Sequence, residues 1–384
     1  MHVAADIKGW DAIAEHRTGT VGDLATAQWL ADTIRAAGAE PHLDMFPFRR
    51  RALRECAVEV DGRRAEGVPL FDGGLTDETG ITCPLTRLDG AGEGIAVTTS
   101  SPGGTSKALS TARKGTFRAV VAGSKPPEGV PGLTLLNAPE YASPFGPPVL
   151  QVATHEIEWL DAAAEAGTVA RLVAHATIED TEACNVLTRV PGRDPSAPPL
   201  VIMTPRSSWW TSTAERGGGV AAWLACIRHF ADDPGHCDVL FTANTGHELG
   251  HVGLEHYMAR HPELAKGARA WIHLGANFAA ADCHHAGTRL AAGVRYQASP
   301  DLFAVGLETL EAFGISPAMI VPTDVRPGGE AQNVFDSGGS YVSLLGKNPW
   351  FHHPDDRWPK TVDLEKTETI CRAVLHIART LADA

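Results

Sequence analysis

Four things are scarce or missing in this chain of 384 residues, and each removes a class of protein. No apolar run approaches the ~20 residues that cross a bilayer, so a membrane-spanning segment is not expected. Basic residues are outnumbered, 33 Lys and Arg against 46 Asp and Glu, for a net charge of −13. The basic footprint of a nucleic-acid-binding surface is therefore lacking. Cysteines are few and odd in number, seven in all, with no C-x-x-C pair. A disulfide framework and a zinc ribbon are both disfavoured, and the thiols read as reduced and mostly buried. Finally, MHVAADIKGWDAIAEHRTG has no basic leader ahead of an apolar core, which gives the expectation of a cytoplasmic protein. Internal repeats and low-complexity tracts are absent too.

What is present is histidine. Nine of the 17 lie between His247 and His353, and imidazole is both a common metal ligand and a proton carrier near neutral pH. Apolar residues at helical spacing (Leu24, Ala27, Leu30, Ala31, Ile34) predict a helix over Asp23 to Ala37, stopped by Gly38. From about Leu53 to Ala183 the chain is richer in Gly and Pro, with turns at Gly73-Gly74, Pro102-Gly103-Gly104 and Pro147-Pro148. Short apolar runs between such turns predict a smaller β-rich insert. Beyond Pro199, strands are expected at Leu200 to Met203, Asp238 to Ala243, Trp271 to Leu274, Ala318 to Val321 and Tyr341 to Leu345. Helices carrying Val220 to Phe230, Asp301 to Phe313 and Leu364 to Ala382 alternate with them. The fold class is α/β, a mostly parallel central sheet with helices on both faces plus the insert. Ligands of such sheets gather beyond the carboxyl ends of the strands.

His247-Glu248-Leu249-Gly250-His251 satisfies H-E-x-x-H, in which two histidines one helical turn apart bind zinc and the Glu activates water. The motif should lie within a helix, whereas here a strand runs into Asn244-Thr245-Gly246. The longer metalloprotease version fails as well, because Gly253 and His256 each fall one residue short. His251 is left open between ligand and structural residue.

The segment from Phe241 to Tyr257 resembles instead the strand-to-helix signature of the zinc-dependent aminopeptidase and glutamate carboxypeptidase superfamily. Other stretches are similar to it: Arg17-Thr18-Gly19 before an Ala-rich helix, Asn185-Val186 and Pro191-Gly192, and His352-His353-Pro354-Asp355-Asp356. Pro147 to Leu150 with the helix near Trp159 to Ala166 resembles the second half of a protease-associated insert. The resemblance implies a catalytic domain of residues 1–52 and 184–384 interrupted by an insert of residues 53–183. It places Glu248 at a ligand glutamate, His352 at the last ligand histidine and Glu215, four residues before Gly219, at the bridging carboxylate. His247 stands at the general-base glutamate and His273 at an aspartate ligand. Pro205-Arg206-Ser207 replaces the family's first His-x-Asp.

The expected site therefore has His247 as the catalytic group and Glu215, Glu248, His273 and His352 as metal ligands. Its cofactor is a divalent transition metal, zinc first, one ion rather than two. Arg206, Trp209 and Trp210 are expected to contact substrate, an arginine suiting a carboxylate and tryptophans an apolar group. Whether His284, His285 or His353 join the site is left open, with a solvated loop pair the favoured reading of the first two. The implied function is hydrolysis of an amide or peptide C–N bond in a small peptide or amide, with no nucleic acid or membrane partner. Two alternatives stay open: an inactive relative kept for binding or scaffolding, and a hydrolase or cyclase of a small non-peptide amide.

Overall fold

A computed structural model describes residues 1–88, 92–102 and 106–384; the Gly103-Gly104 turn lies outside them. Four parallel strands form the centre of the main sheet, in the spatial order Val239–Asn244, Leu200–Pro205, Ala270–Leu274, Tyr341–Lys347. Gly293–Ala298 adds antiparallel to the last of these and carries the two-residue strand Met319–Ile320 at the edge. Alternation sorts the side chains. Leu200 and Ile202 face a core shared with the helices Thr213–Asp232 and Leu364–Asp383, while Val201 and Met203 face one shared with Val252–Arg260 and Ala331–Asp336. Both faces are covered, as parallel strands require.

The other side of the sheet was not expected. Val169–Val190 pairs antiparallel with Val239–Asn244, and Pro41–Val60 pairs with it in turn. These two long strands stay hydrogen-bonded from Pro41↔Thr188 to Val60↔Ala170, with one register shift between Leu53 and Cys56. Beyond that shift they close a ring with Ile81–Thr86, Ile95–Ser100, Ala119–Ser124, Val149–Val152 and Arg63–Pro69. Its apolar cluster includes Val58, Leu85, Val121, Leu150 and Leu172, with Leu160 and Ala164 from the helix Ile157–Glu165.

Two further differences have local causes. The first helix of the prediction begins at Val21, because Thr20 accepts a hydrogen bond from Asp23 N at 3.2 Å and caps it. Leu24 is 39% exposed, while Thr26 takes a place on the buried face. An unpredicted helix, Val3–Asp11, precedes it and buries Trp10 against the helix that carries Glu215. All seven cysteines are unbridged and five are buried. Among the described residues no helix is long and apolar enough to cross a membrane.

Candidate functional site

The carboxyl ends of the parallel strands deliver the expected residues to one region. Ser207 follows Leu200–Pro205, and His247 and Glu248 follow Val239–Asn244. His273 lies in Ala270–Leu274, and His352 follows Tyr341–Lys347. Glu215 comes from the first turn of Thr213–Asp232. That helix approaches the sheet closely, since a Cβ on Gly219 would stand 2.8 Å from Thr204 Oγ1 and 2.9 Å from the Leu274 carbonyl. Its start is fixed by Asp356, whose carboxylate accepts from Ala214 N at 2.9 Å, Glu215 N at 3.0 Å and Thr361 Oγ1 at 2.6 Å. Burial pushes the Asp356 carboxyl up to about 7 against these hydrogen bonds. Ser212, His251 and His352 all have positive φ (49°, 62° and 57°). Non-glycine residues held in that region cluster at functional sites.

The residue at the centre belongs to none of the sequence motifs. Arg216 is fully buried, with Nη2 at 2.8 Å from Glu215 Oε1 and 2.6 Å from Glu248 Oε1, while Nε donates to the Ser207 carbonyl at 2.8 Å. The other oxygen of Glu248 accepts from Ser207 Oγ at 2.6 Å, and Ser207 Oγ accepts from His247 N at 3.1 Å. Burial raises the Glu215 carboxyl, but the Arg216 guanidinium and then His352 outweigh it and hold it below the usual carboxylate range. His352 donates from Nδ1 to the Leu135 carbonyl at 2.6 Å, which leaves Nε2 facing Glu215 Oε1 at 3.5 Å. The signal for Arg216 was its place directly after Glu215, ahead of three glycines; the pairing with Glu248 spans 32 residues.

His247 and His273 belong to a second cluster. His247 Nδ1 lies 3.6 Å from Oε1 of Glu330, a buried residue whose Oε2 accepts from Asn244 Nδ2 at 3.0 Å. His273 Nδ1 is 2.9 Å from Ser343 Oγ. Desolvation, then the positive Arg216 beside His247 and the neighbouring histidines beside His273, hold both rings well below the ordinary histidine pKa and keep them neutral. Burial raises the Glu330 carboxyl. Glu330 follows Gly328-Gly329 in a loop and carried no sequence signal.

The H-E-x-x-H geometry is corrected by the backbone. His247–Leu249 is a single 3-10 turn, Gly250 and His251 are left-handed, and the helix begins only at Val252. The two histidines therefore do not sit one α-helical turn apart. Their rings stack at 4.9 Å, and His251 Nδ1 meets Asn333 Oδ1 at 2.8 Å.

Arg206, expected at substrate, is fully buried with its guanidinium on Asp23 (Nη1 to Oδ1 2.8 Å) and on the Cys184 carbonyl. It ties the Val21–Ala36 helix to the sheet. Trp209 walls a cleft of about 310 Å³ together with Phe48, Arg51, Phe71, Tyr141 and Glu248. Trp210 donates from Nε1 to the His352 carbonyl at 2.9 Å. His247 faces a different hollow, of about 400 Å³, with His251, Gln332 and Asn333. His353 packs on Trp350 and contacts the Pro131 carbonyl, and His284 and His285 lie exposed in a two-stranded hairpin.

No family model matches the chain, and no curated protein matches it in sequence. Solved structures do match over its whole length. A zinc aminopeptidase from Bacillus subtilis aligns with TM-score 0.77 at 15% identity, covering 100% of this chain and 95% of its own. A peptidase M28 precursor from Shewanella amazonensis SB2B aligns with TM-score 0.78 at 14% identity, covering 100% and 93%. An aminopeptidase from Aneurinibacillus sp. strain AM-1 gives 0.73 at 15%, covering 99% and 94%. The chain thus has the fold of the zinc aminopeptidases, as its sequence motifs suggested, and likeness at these identities speaks for the fold alone.

The Bacillus subtilis neighbour is named a zinc enzyme, and Arg216 decides whether the residues of this chain would fit such an ion. A metal shared by Glu215 and Glu248 would occupy the space between the carboxylates, where the guanidinium already supplies the positive charge. Both oxygens of Glu248 are engaged, and among the described residues no group of three or more His, Cys, Asp and Glu is arranged to hold a metal ion. With Arg216 in this position the donor set does not fit.

Proposed function

We propose that this chain keeps the aminopeptidase scaffold but works without a metal, binding a small ligand in the cleft beside Glu248 rather than hydrolysing a C–N bond through metal-bound water. The observation that carries this reading is the Arg216 guanidinium lying within 2.8 Å of both Glu215 and Glu248. A permanently protonated side chain offsets one of the two carboxylate charges and fills the space between them that a shared metal would need. His247, at the general-base position, is buried and neutral and opens onto a different hollow from Glu248. The seven-stranded ring is taken as the counterpart of a protease-associated insert, with the catalytic-type domain formed by residues 1–52 and 184–384.

A second reading, a mononuclear amide or peptide hydrolase, is favoured by one feature. Apart from the Arg216 ion pair, both oxygens of Glu215 and Nε2 of His352 are buried without a hydrogen-bond partner, and such atoms would suit a cation if Arg216 swung aside. Metal content separates the two. Protein purified without chelator is expected to carry less than ~0.3 metal per chain and to gain no thermal stability from Zn, Mn or Co. Arg216→Asn removes the internal cation and is expected to gain metal-dependent stabilisation. Stoichiometric metal in the parent, with chelator-sensitive cleavage of an aminoacyl anilide, would restore the hydrolase reading.

A further inference from the structure

The cleft beside Glu248 has a chemistry of its own, set by the strand stretch that leaves the main sheet. Arg17, Arg50, Arg51 and Arg54 all line it. Three of them are already paired: Arg17 with Glu15 at 2.6 Å, and Arg50 and Arg54 with Glu179. Glu248, the remaining carboxylate in the lining, is held by Arg216. Arg51 differs, because among the described residues no carboxylate lies in ion-pair range of it. Among the described residues its one side-chain hydrogen bond runs from Nη1 to the Gly73 carbonyl at 2.9 Å, and its guanidinium lies 5.7 Å from the centre of the Tyr141 ring. Arg51 is half-buried, and the loss of water, partly offset by Tyr141 and Asp72, pushes its pKa down. Next to it, Nε of Arg50 is buried without a partner. Donors are therefore left over, and acceptors are missing.

The walls around these donors are aromatic. Phe48 stacks on Tyr141 with ring centres 5.5 Å apart, and Phe71 meets Trp209 at 4.8 Å. Phe48, Phe71 and Trp209 are almost fully buried, so their positions are fixed by packing. Trp209 is further held by a hydrogen bond from Nε1 to Asn137 Oδ1 at 3.2 Å. A volume of about 310 Å³ lies at the small end of ligand pockets.

We infer that this cleft binds a monoanionic carboxylate attached to a flat apolar body, with the carboxylate on Arg51 and the body between the Phe48–Tyr141 and Phe71–Trp209 pairs. One unpaired guanidinium matches one negative charge, and its planar fork suits a carboxylate. A dianion would bring a second charge for which the cleft has no second unpaired cation. The same chemistry is offered by a free aromatic acid and by the carboxyl terminus of a peptide ending in an aromatic residue. This inference deepens the binding reading above and rests on it.

Calorimetric titration in the presence of EDTA tests it with three probes: N-acetylphenylalanine, its neutral amide, and N-acetyl-Ala-Ala-Phe. The acid is expected to bind at least about tenfold more tightly than the amide, since the charge-assisted bonds are lost in the latter. Arg51→Gln is expected to remove that preference while leaving thermal stability unchanged, and Phe71→Leu to weaken acid and amide alike. Tighter binding of the tripeptide than of the amino acid identifies a peptide terminus as the source; the reverse identifies a free acid. Equal binding of acid and amide, undiminished binding to Arg51→Gln, or no binding of any probe at millimolar concentration overturns the inference. Metal content is read separately, so a metal-bearing parent protein would count against metal independence and leave the carboxylate preference to these titrations.

Discussion

Arg216 Nη2 stands 2.6 Å from Glu248 Oε1, and both side chains are buried beyond the carboxyl ends of the parallel strands. Breaking a buried ion pair leaves a charge without compensation. Arg216→Met is therefore expected to lower unfolding free energy by ~3–5 kcal/mol in urea denaturation, and adding Glu215→Gln and Glu248→Gln to recover much of that loss. A loss below ~1 kcal/mol for the single variant would show that the triad is not closed in solution.

Arg206 and Asp23 form another buried pair, at 2.8 Å. Here the expected effect is on stability and not on ligand affinity, because the pair joins the Val21–Ala36 helix to the strand end. Arg206→Ala and Asp23→Ala should each cost ~3–5 kcal/mol, and the double variant less than the sum of the two. A change in ligand affinity in Arg206→Met, at unchanged fold, would return Arg206 to the binding surface.

His16 gives the chain an acid-sensitive position. The ring stacks on Trp10 at 3.7 Å and its Nδ1 bonds Thr26 Oγ1 at 2.7 Å, while Nε2 is buried without a partner. Burial, with Arg206 adding to it, depresses its pKa to about 3. A depressed pKa means stability that is complete above the unfolded value of ~6.5 and is lost as pH falls from there towards 3. The slope it contributes is at most ~1.4 kcal/mol per pH unit. His16→Phe keeps the stack, and Thr26 still donates to the Gly22 carbonyl. Denaturation series between pH 7 and 4 should therefore be flatter in this variant; parallel curves would remove His16 from the account.

Gly329 holds the loop that brings Glu330 to His247. Its φ is +63°, and a Cβ there would meet His273 Cε1 at 2.9 Å. Gly329→Ala is expected to cost at least ~1–2 kcal/mol, through backbone strain and displacement of the His273 ring. An NMR shift of the His247 and His273 ring protons would report the displacement, and an unchanged spectrum would contradict it.

The parts of the fold that the sequence made legible are those with one periodicity and two covered faces. Leu200 to Met203 and Trp271 to Leu274 are short apolar runs, and Gly217-Gly218-Gly219 marks the helix that must lie close to them. The long strands were not legible, because Phe48-Arg49-Arg50-Arg51 and Thr177 to Glu182 mix charge with apolar residues and cross from one environment to another within a single strand. A change of texture near residues 53 and 183 was visible, but the backbone passes through it without a break. At the site, Glu215, Glu248 and His352 were singled out by the resemblance of their stretches to the aminopeptidase family, and the fold brings the three near Arg216. The identity of their neighbour was not legible, since the pairing of Arg216 with Glu248 is a tertiary contact and Glu330 arrives from a loop.

The two long strands have a mechanical consequence. Arg50 and Glu179 lie opposite each other in their ladder, near the point where the main sheet hands over to the seven-stranded ring. The two halves thus share continuous backbone hydrogen bonds and not a pair of flexible linkers. Rotation of one against the other has to twist that ladder, and unfolding of one strips pairing partners from the other. The chain should accordingly melt in one calorimetric transition, with its van't Hoff and calorimetric enthalpies equal.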